Sequence, residues 1–175
     1  MRRAPNVVVA FILAIALYFT LFWGFDALRI LTSPSYGLED VWRSQVVFGL
    51  GSFFGLAPAG LIKLAALFGA LKLSVAGVCA VHVFDRLRTL FGGTVDCEIL
   101  ESGLLLAVIV SIAAVAPALW SNNADQVREH TIQLLLAGLA AALCIIERSA
   151  TEATPAVDAK AANMPAQPVW YAPWR

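Results

Sequence analysis

The chain has 175 residues, of which 60% are apolar and only 14% charged, and its mean hydropathy is +0.79. Soluble domains carry about 25% charged residues, so the composition excludes an ordinary water-soluble fold and points to an all-α polytopic membrane protein. Lysine plus arginine equals aspartate plus glutamate at 12 each, which leaves no net field to hold nucleic acid.

Arg2 and Arg3 precede an apolar run over residues 7–25. Its 19 residues exceed the roughly 7–15 of a signal-peptide core, and no small-x-small cleavage pattern follows Gly24. An uncleaved first span over about residues 7–28 is expected. Phe22, Trp23 and Phe25 then fit the aromatic belt at its far end, with Asp26 and Arg29 emerging into the interface. Residues 32–37 read as a loop from their Ser, Pro and Gly content. Leu38, Val41, Trp42 and Gln45 recur at helical spacing, with Glu39 and Asp40 suited to a helix N-terminus.

Residues 46–84 form an apolar stretch of 39 residues whose only charges are Lys63 and Lys72. As one helix it would run about 58 Å against a hydrocarbon core of about 30 Å, which tilt does not absorb. Its natural break is Ala57-Pro58-Ala59-Gly60, and the piece before it, about 18 Å long, is too short to cross. The expectation is an interfacial or half-inserted helix over residues 38–56, then a second span over 61–84. Gly51 and Gly55, with Gly49, would let another backbone approach closely, and Pro58 suits the first turn of the restarted helix.

The third span is expected over residues 102–120, with Gly103, Ala107 and Ser111 as a small-residue packing seam. Ser121-Asn122-Asn123 is a turn, and Asp125 a candidate cap for a fourth span over about 130–147. Gly138 and Ala142, beside Ala137 and Ala141, form a second seam. Residues 1–148 thus make a transmembrane domain. Residues 149–175 read as a disordered cytoplasmic tail, rich in Ala, Pro and Thr, ending in an aromatic anchor of Trp170, Tyr171 and Trp174.

Four spans with the N-terminus inside place seven basic residues in the cytoplasm (Arg2, Arg3, Arg86, Arg88, Arg148, Lys160, Arg175) and three outside (Arg29, Arg43, Arg128). That asymmetry puts both termini in the cytoplasm. The Ala-, Gly- and Leu-rich, Arg-over-Lys composition points to a bacterial inner membrane.

Lys72 is the candidate site residue, because an intramembrane charge is a functional signal. Asp26 is placed near the outer face and Asp85, Glu101 and Glu147 near the inner one. No acid of the chain is then an obvious partner, and the readings are a substrate or ion site, an anionic lipid headgroup, another subunit's carboxylate, or a helix that tilts so that Lys72 snorkels to an interface. Lys63, near a span end, is expected to snorkel. His82 and His130 fall at opposite membrane faces, too far apart to share a haem, so no cofactor is expected. Asp96, Glu98 and Glu101 are expected to face Arg86 and Arg88. Cys97, between two acids, should have its thiolate disfavoured. Cys79, Cys97 and Cys144 show no metal-ligand spacing, and no nucleophile motif or phosphate-binding loop occurs.

These features lead to a non-enzymatic accessory or structural subunit of a larger membrane complex. Its partners would be other integral subunits, further copies of itself and membrane lipids. The alternative is a small transporter or channel built on the break at Pro58 and on Lys72.

Overall fold

The computed structural model describes residues 6–39, 41–89, 97–120 and 122–162. Among these the chain is all-helical, with α1 (Asn6–Thr32), α2 (Val41–Phe53), α3 (Pro58–Thr89), α4 (Glu98–Trp120) and α5 (Ala124–Ala162). Four of them are long and apolar enough to cross a membrane, α5 contributing its part up to Ala150. α2, with 13 residues or about 20 Å, is not.

The four long helices run alternately up and down. α1 packs chiefly along α3, α3 on α4 and α4 on α5, and α5 closes the ring against α1. α2 sits on α3 and α4 at the end of the bundle where α4 finishes, here the α2 end. The opposite end is marked by Cys97, which precedes α4. Large apolar side chains such as Phe11, Leu105, Ile109, Leu135 and Ile145 point outward, a surface compatible with contact to lipid.

Lipid is as apolar as leucine, so helices in it associate through close packing rather than through water release. Gly103, Ala107 and Ser111 are buried on α4. Gly103 lies so close to α3 that a Cβ there would stand 2.7 Å from Val78 Cγ1. On α5 the packed residues are Ala137, Ala140 and Cys144, whereas Gly138 and Ala142 face outward. The rotation of α5 follows its polar residues: Gln126, His130 and Gln133 are buried, and Ala137, Ala140 and Cys144 continue the same stripe at alternating steps of four and three.

The break before Pro58 is a helix-terminating turn. Gly55 has φ +62° and the Leu56 N–H bonds to the Gly51 carbonyl at 2.8 Å, the Schellman pattern. Nothing would meet a Cβ on Gly55, so this glycine serves the backbone turn and not a packing seam. Gly51 does pack, since a Cβ there would overlap Leu61 of α3. Ala57 then caps α3 through its carbonyl, accepting from the Leu61 N–H at 3.2 Å, with Pro58 the first helical residue. α2 is held across this end by Gly49 against Pro117, by an Asn123 to Gln45 side-chain hydrogen bond, and by Phe53 beside Trp120 with ring centroids 6.0 Å apart.

α2 spans Val41–Phe53 against the expected 38–56, α3 Pro58–Thr89 against 61–84 and α4 Glu98–Trp120 against 102–120, and three further differences have a local cause. α1 continues to Thr32, because residues 26–32 keep helical spacing and only Ser33 and Pro34 stop it. Asn123, not Asp125, caps α5, its Oδ1 accepting from the Gln126 N–H at 3.3 Å after Asn122 turns the chain at φ +55°. α5 runs on to Ala162 instead of giving way at residue 149, since alanine-rich sequence has high helix propensity. Trp170, Tyr171 and Trp174 lie outside the described residues.

Candidate functional site

Lys72 Nζ lies 2.5 Å from Asp26 Oδ2, with each side chain 19% exposed. Lys72 is about 21 Å along α3 from Pro58 and about 26 Å from Thr89, which is mid-helix. The partner comes from register. Gly24 adjoins Ala76 and Gly69 adjoins Ile30, so antiparallel packing brings Asp26 opposite Lys72. The expectation that no acid of the chain partners Lys72 is thereby overturned, because α1 continues for six residues, about 9 Å, beyond Asp26 and packs along α3. A lysine at mid-bilayer costs at least about 2.5–3.5 kcal/mol, and a charge-assisted hydrogen bond to a carboxylate offsets this. Lys63 is exposed near the start of α3.

α5 adds a hydrogen-bonded row near the pair. The Gln133 Oε1 accepts from Ser111 Oγ at 3.4 Å and from His130 Nδ1 at 3.1 Å, while Gln133 Nε2 donates to Glu129 at 3.4 Å. An amide oxygen only accepts, so His130 carries its hydrogen on Nδ1 and leaves Nε2 as an acceptor when neutral.

Glu129 and His130 of this row and the ion pair border a cavity of about 890 Å³ between the α2 end and mid-bundle. Its polar wall holds Asp26, Lys72, Gln126, Glu129 and His130, with Arg29 further along α1. The remaining wall is apolar and aromatic, from Phe22, Phe25, Phe68, Val46 and Val47 among others. Two acidic and two basic side chains face one space with a greasy lining, an amphipathic container without a dominant charge.

A second polar cluster occupies the Cys97 end. Arg86 Nη2 donates to Glu147 Oε2 at 2.5 Å and to Cys97 Sγ at 3.4 Å, and the Cys97 thiol faces the same Glu147 oxygen at 3.3 Å. The neighbouring Cys144 thiol, with help from Arg86, holds the Cys97 thiol below its ordinary value against burial and Glu147. The expectation of a disfavoured Cys97 thiolate is therefore reversed. The neighbours that decide come from α3 and α5, not from the adjacent acids in sequence. Glu101 pairs with Arg148 at 3.0 Å instead of with Arg86 or Arg88, and Asp96 lies outside the described residues. His82, one turn before Arg86, is fully buried with no hydrogen-bond partner at either ring nitrogen among the described residues. His82 and His130 belong to opposite clusters and do not converge on one centre.

Compared with known proteins, the chain matches no family model, no curated protein and no solved structure.

Of the residues that build the cavity, only Lys72 stands out in the sequence. Gln126 and the role of His130 were signalled by one pattern, and Glu129 by none. Polar residues at 126, 130 and 133 continue the stripe that Ala137, Ala140 and Cys144 occupy further along α5.

Proposed function

We propose that this chain is a non-enzymatic integral membrane protein of the small-transporter class. Its cargo is an amphiphile with a zwitterionic head, taken into the cavity beside Asp26 and Lys72. The carrying observation is an ion pair at mid-helix that opens onto an amphipathic space instead of being sealed by packing. A cationic group would exchange with Lys72 for Asp26 or Glu129, and an anionic group with Asp26 for Lys72 or Arg29. The acyl or aromatic part would lie along Phe22, Phe25 and Phe68. Balanced charge disfavours a strongly anionic or cationic cargo, which would leave one wall unpaired.

The test uses purified protein in nanodiscs and a spin-labelled zwitterionic lysolipid, with anionic and cationic analogues as controls. Saturable binding of the zwitterion, weakened at least tenfold by Lys72→Met and by Asp26→Asn, supports the proposal. Equal binding of all three amphiphiles, or binding unchanged in both variants, rejects it.

The accessory-subunit reading keeps one specific support. Gly138 and Ala142 face outward on α5, and nothing lies within 4 Å of a Cβ on Gly138, leaving a flat strip on which another helix can pack. Mild-detergent purification separates the two readings, since a constitutive large complex favours the subunit and a lone chain or small oligomer the carrier. The basic asymmetry between loops supports an orientation with both termini cytoplasmic, and the Ala-, Gly- and Leu-rich, Arg-over-Lys composition supports a bacterial inner-membrane setting.

A further inference from the structure

The Cys97 end holds nucleophilic chemistry that the cavity does not use. Cys97 caps the start of α4, its carbonyl accepting from the Glu101 N–H at 2.9 Å, and is 8% exposed; Cys144 of α5 is 1% exposed. Cys144 stands one turn before Glu147 on α5, the residue that touches Cys97, and both thiols belong to one buried cluster although they lie on separate elements. Around them stand a cation and a proton acceptor in contact with one sulfur. Arg86 Nη2 is 3.4 Å from Cys97 Sγ, and Glu147 Oε2 is 3.3 Å from it. A structural thiol in a membrane bundle needs only to fill space. A thiol flanked by a guanidinium, a carboxylate, a helix N-terminus and a second thiol has what nucleophilic attack and disulfide closure require.

We propose that Cys97 and Cys144 form a redox-active dithiol that reacts with hydroperoxides, Cys97 attacking and Cys144 resolving. The Cys97 proton passes to Glu147, and the sulfur, held by Arg86, attacks one peroxide oxygen. The O–O bond breaks, and the departing hydroxide or alkoxide takes the proton back from Glu147 as water or alcohol. Cys97, oxidised by two electrons, is then a sulfenic acid. The Cys144 sulfur displaces the sulfenic oxygen, an S–S bond forms, and the oxygen leaves as water with the proton of Cys144. The product ties the start of α4 to α5 covalently at the end of the bundle remote from the cavity. Cys79, fully buried on α3, stays a thiol and serves as the internal control.

The role of Cys97 rests on position as well as charge. It is the more exposed of the two sulfurs and the one that Arg86 and Glu147 touch. The hydroperoxide can arrive from water or from lipid, and the choice of oxidant distinguishes the two. Reduced full-length protein in nanodiscs is exposed to hydrogen peroxide or to cumene hydroperoxide, then denatured, alkylated and peptide-mapped. The expected product is a Cys97–Cys144 disulfide with Cys79 alkylated. Faster reaction with hydrogen peroxide assigns an aqueous route, and faster reaction with the cumene compound a lipid one. Cys144→Ser should stop at a dimedone-reactive sulfenic acid on Cys97, and Cys97→Ser should slow oxidation of Cys144 at least tenfold. Three alkylatable cysteines after both oxidants would overturn the proposal. So would a disulfide that includes Cys79, or a sulfenic acid on Cys144 in place of Cys97. Wild-type mapping decides this even where a serine variant folds poorly.

Discussion

Asp26 on α1 and Lys72 on α3 are 46 positions apart in sequence and meet at 2.5 Å at mid-bundle. Removing one partner leaves the other charge partly buried without its counter-charge, whereas removing both leaves a neutral gap. Fully buried pairs lose about 3–5 kcal/mol on single truncation and exposed pairs about 0–1 kcal/mol. Both side chains here are 19% exposed, so Lys72→Met and Asp26→Asn should each cost about 2 kcal/mol. The double variant should cost less than the sum of the two. Unfolding in mixed micelles across the four-member cycle measures the coupling, and strict additivity would show that the pair contributes nothing.

Gly103 and Gly138 look alike in sequence and should respond oppositely to alanine. At Gly103 a Cβ meets Val78 Cγ1 at 2.7 Å, so Gly103→Ala must push α4 from α3 and should destabilise by about 1–3 kcal/mol. At Gly138 a Cβ meets nothing within 4 Å, so Gly138→Ala should be neutral or gain up to about 1 kcal/mol through helix propensity. The same unfolding assay reads both. A loss at Gly138 accompanied by a change in oligomer size would show that another helix covers that face.

Arg88 and Asn122 occupy exposed positions at opposite ends of the bundle. Single cysteines introduced as Arg88→Cys and Asn122→Cys, in a background with the native cysteines replaced, should react with a membrane-impermeant maleimide from opposite sides of oriented vesicles. Labelling of both from one side would rule out the four-crossing arrangement.

The Cys97 thiol is held below its ordinary value first by the neighbouring Cys144 thiol and then by Arg86, with burial and Glu147 opposing. Because the thiolate is the reactive form, Cys97 alkylation in folded protein should persist to lower pH than that of an ordinary thiol. Cys144→Ala removes that neighbour, so the Cys97 rate profile should shift to higher pH. Iodoacetamide alkylation of Cys97, followed by peptide mapping across pH, measures this. Superimposable profiles would mean that Cys144 does not act on Cys97.

The sequence by itself determined the class of structure and the number of long helices. Lipid offers no hydrogen bonds, so each crossing segment must satisfy its own backbone. Length and hydropathy along the chain then reveal the helices without reference to their neighbours. That the helix before Pro58 is too short to cross a membrane followed from the same length arithmetic, as did a helix restarting at Pro58. Gly103, Ala107 and Ser111 were legible because a small-residue row on a helix face has few uses other than close packing.

The partners of charged and reactive side chains were decided only in three dimensions. Asp26 reads as no obvious partner of Lys72 until the antiparallel register of α1 against α3 sets the two opposite each other. Cys97 reads as a thiol between acids until Arg86 of α3 and Cys144 and Glu147 of α5 close around it. Gly138 reads as a packing glycine until Gln126, His130 and Gln133 fix the rotation of α5 and turn it outward. Hydropathy is a property of one segment, whereas register and rotation are properties of a pair of helices. They are set by close contacts between residues far apart in the chain, which no local pattern encodes.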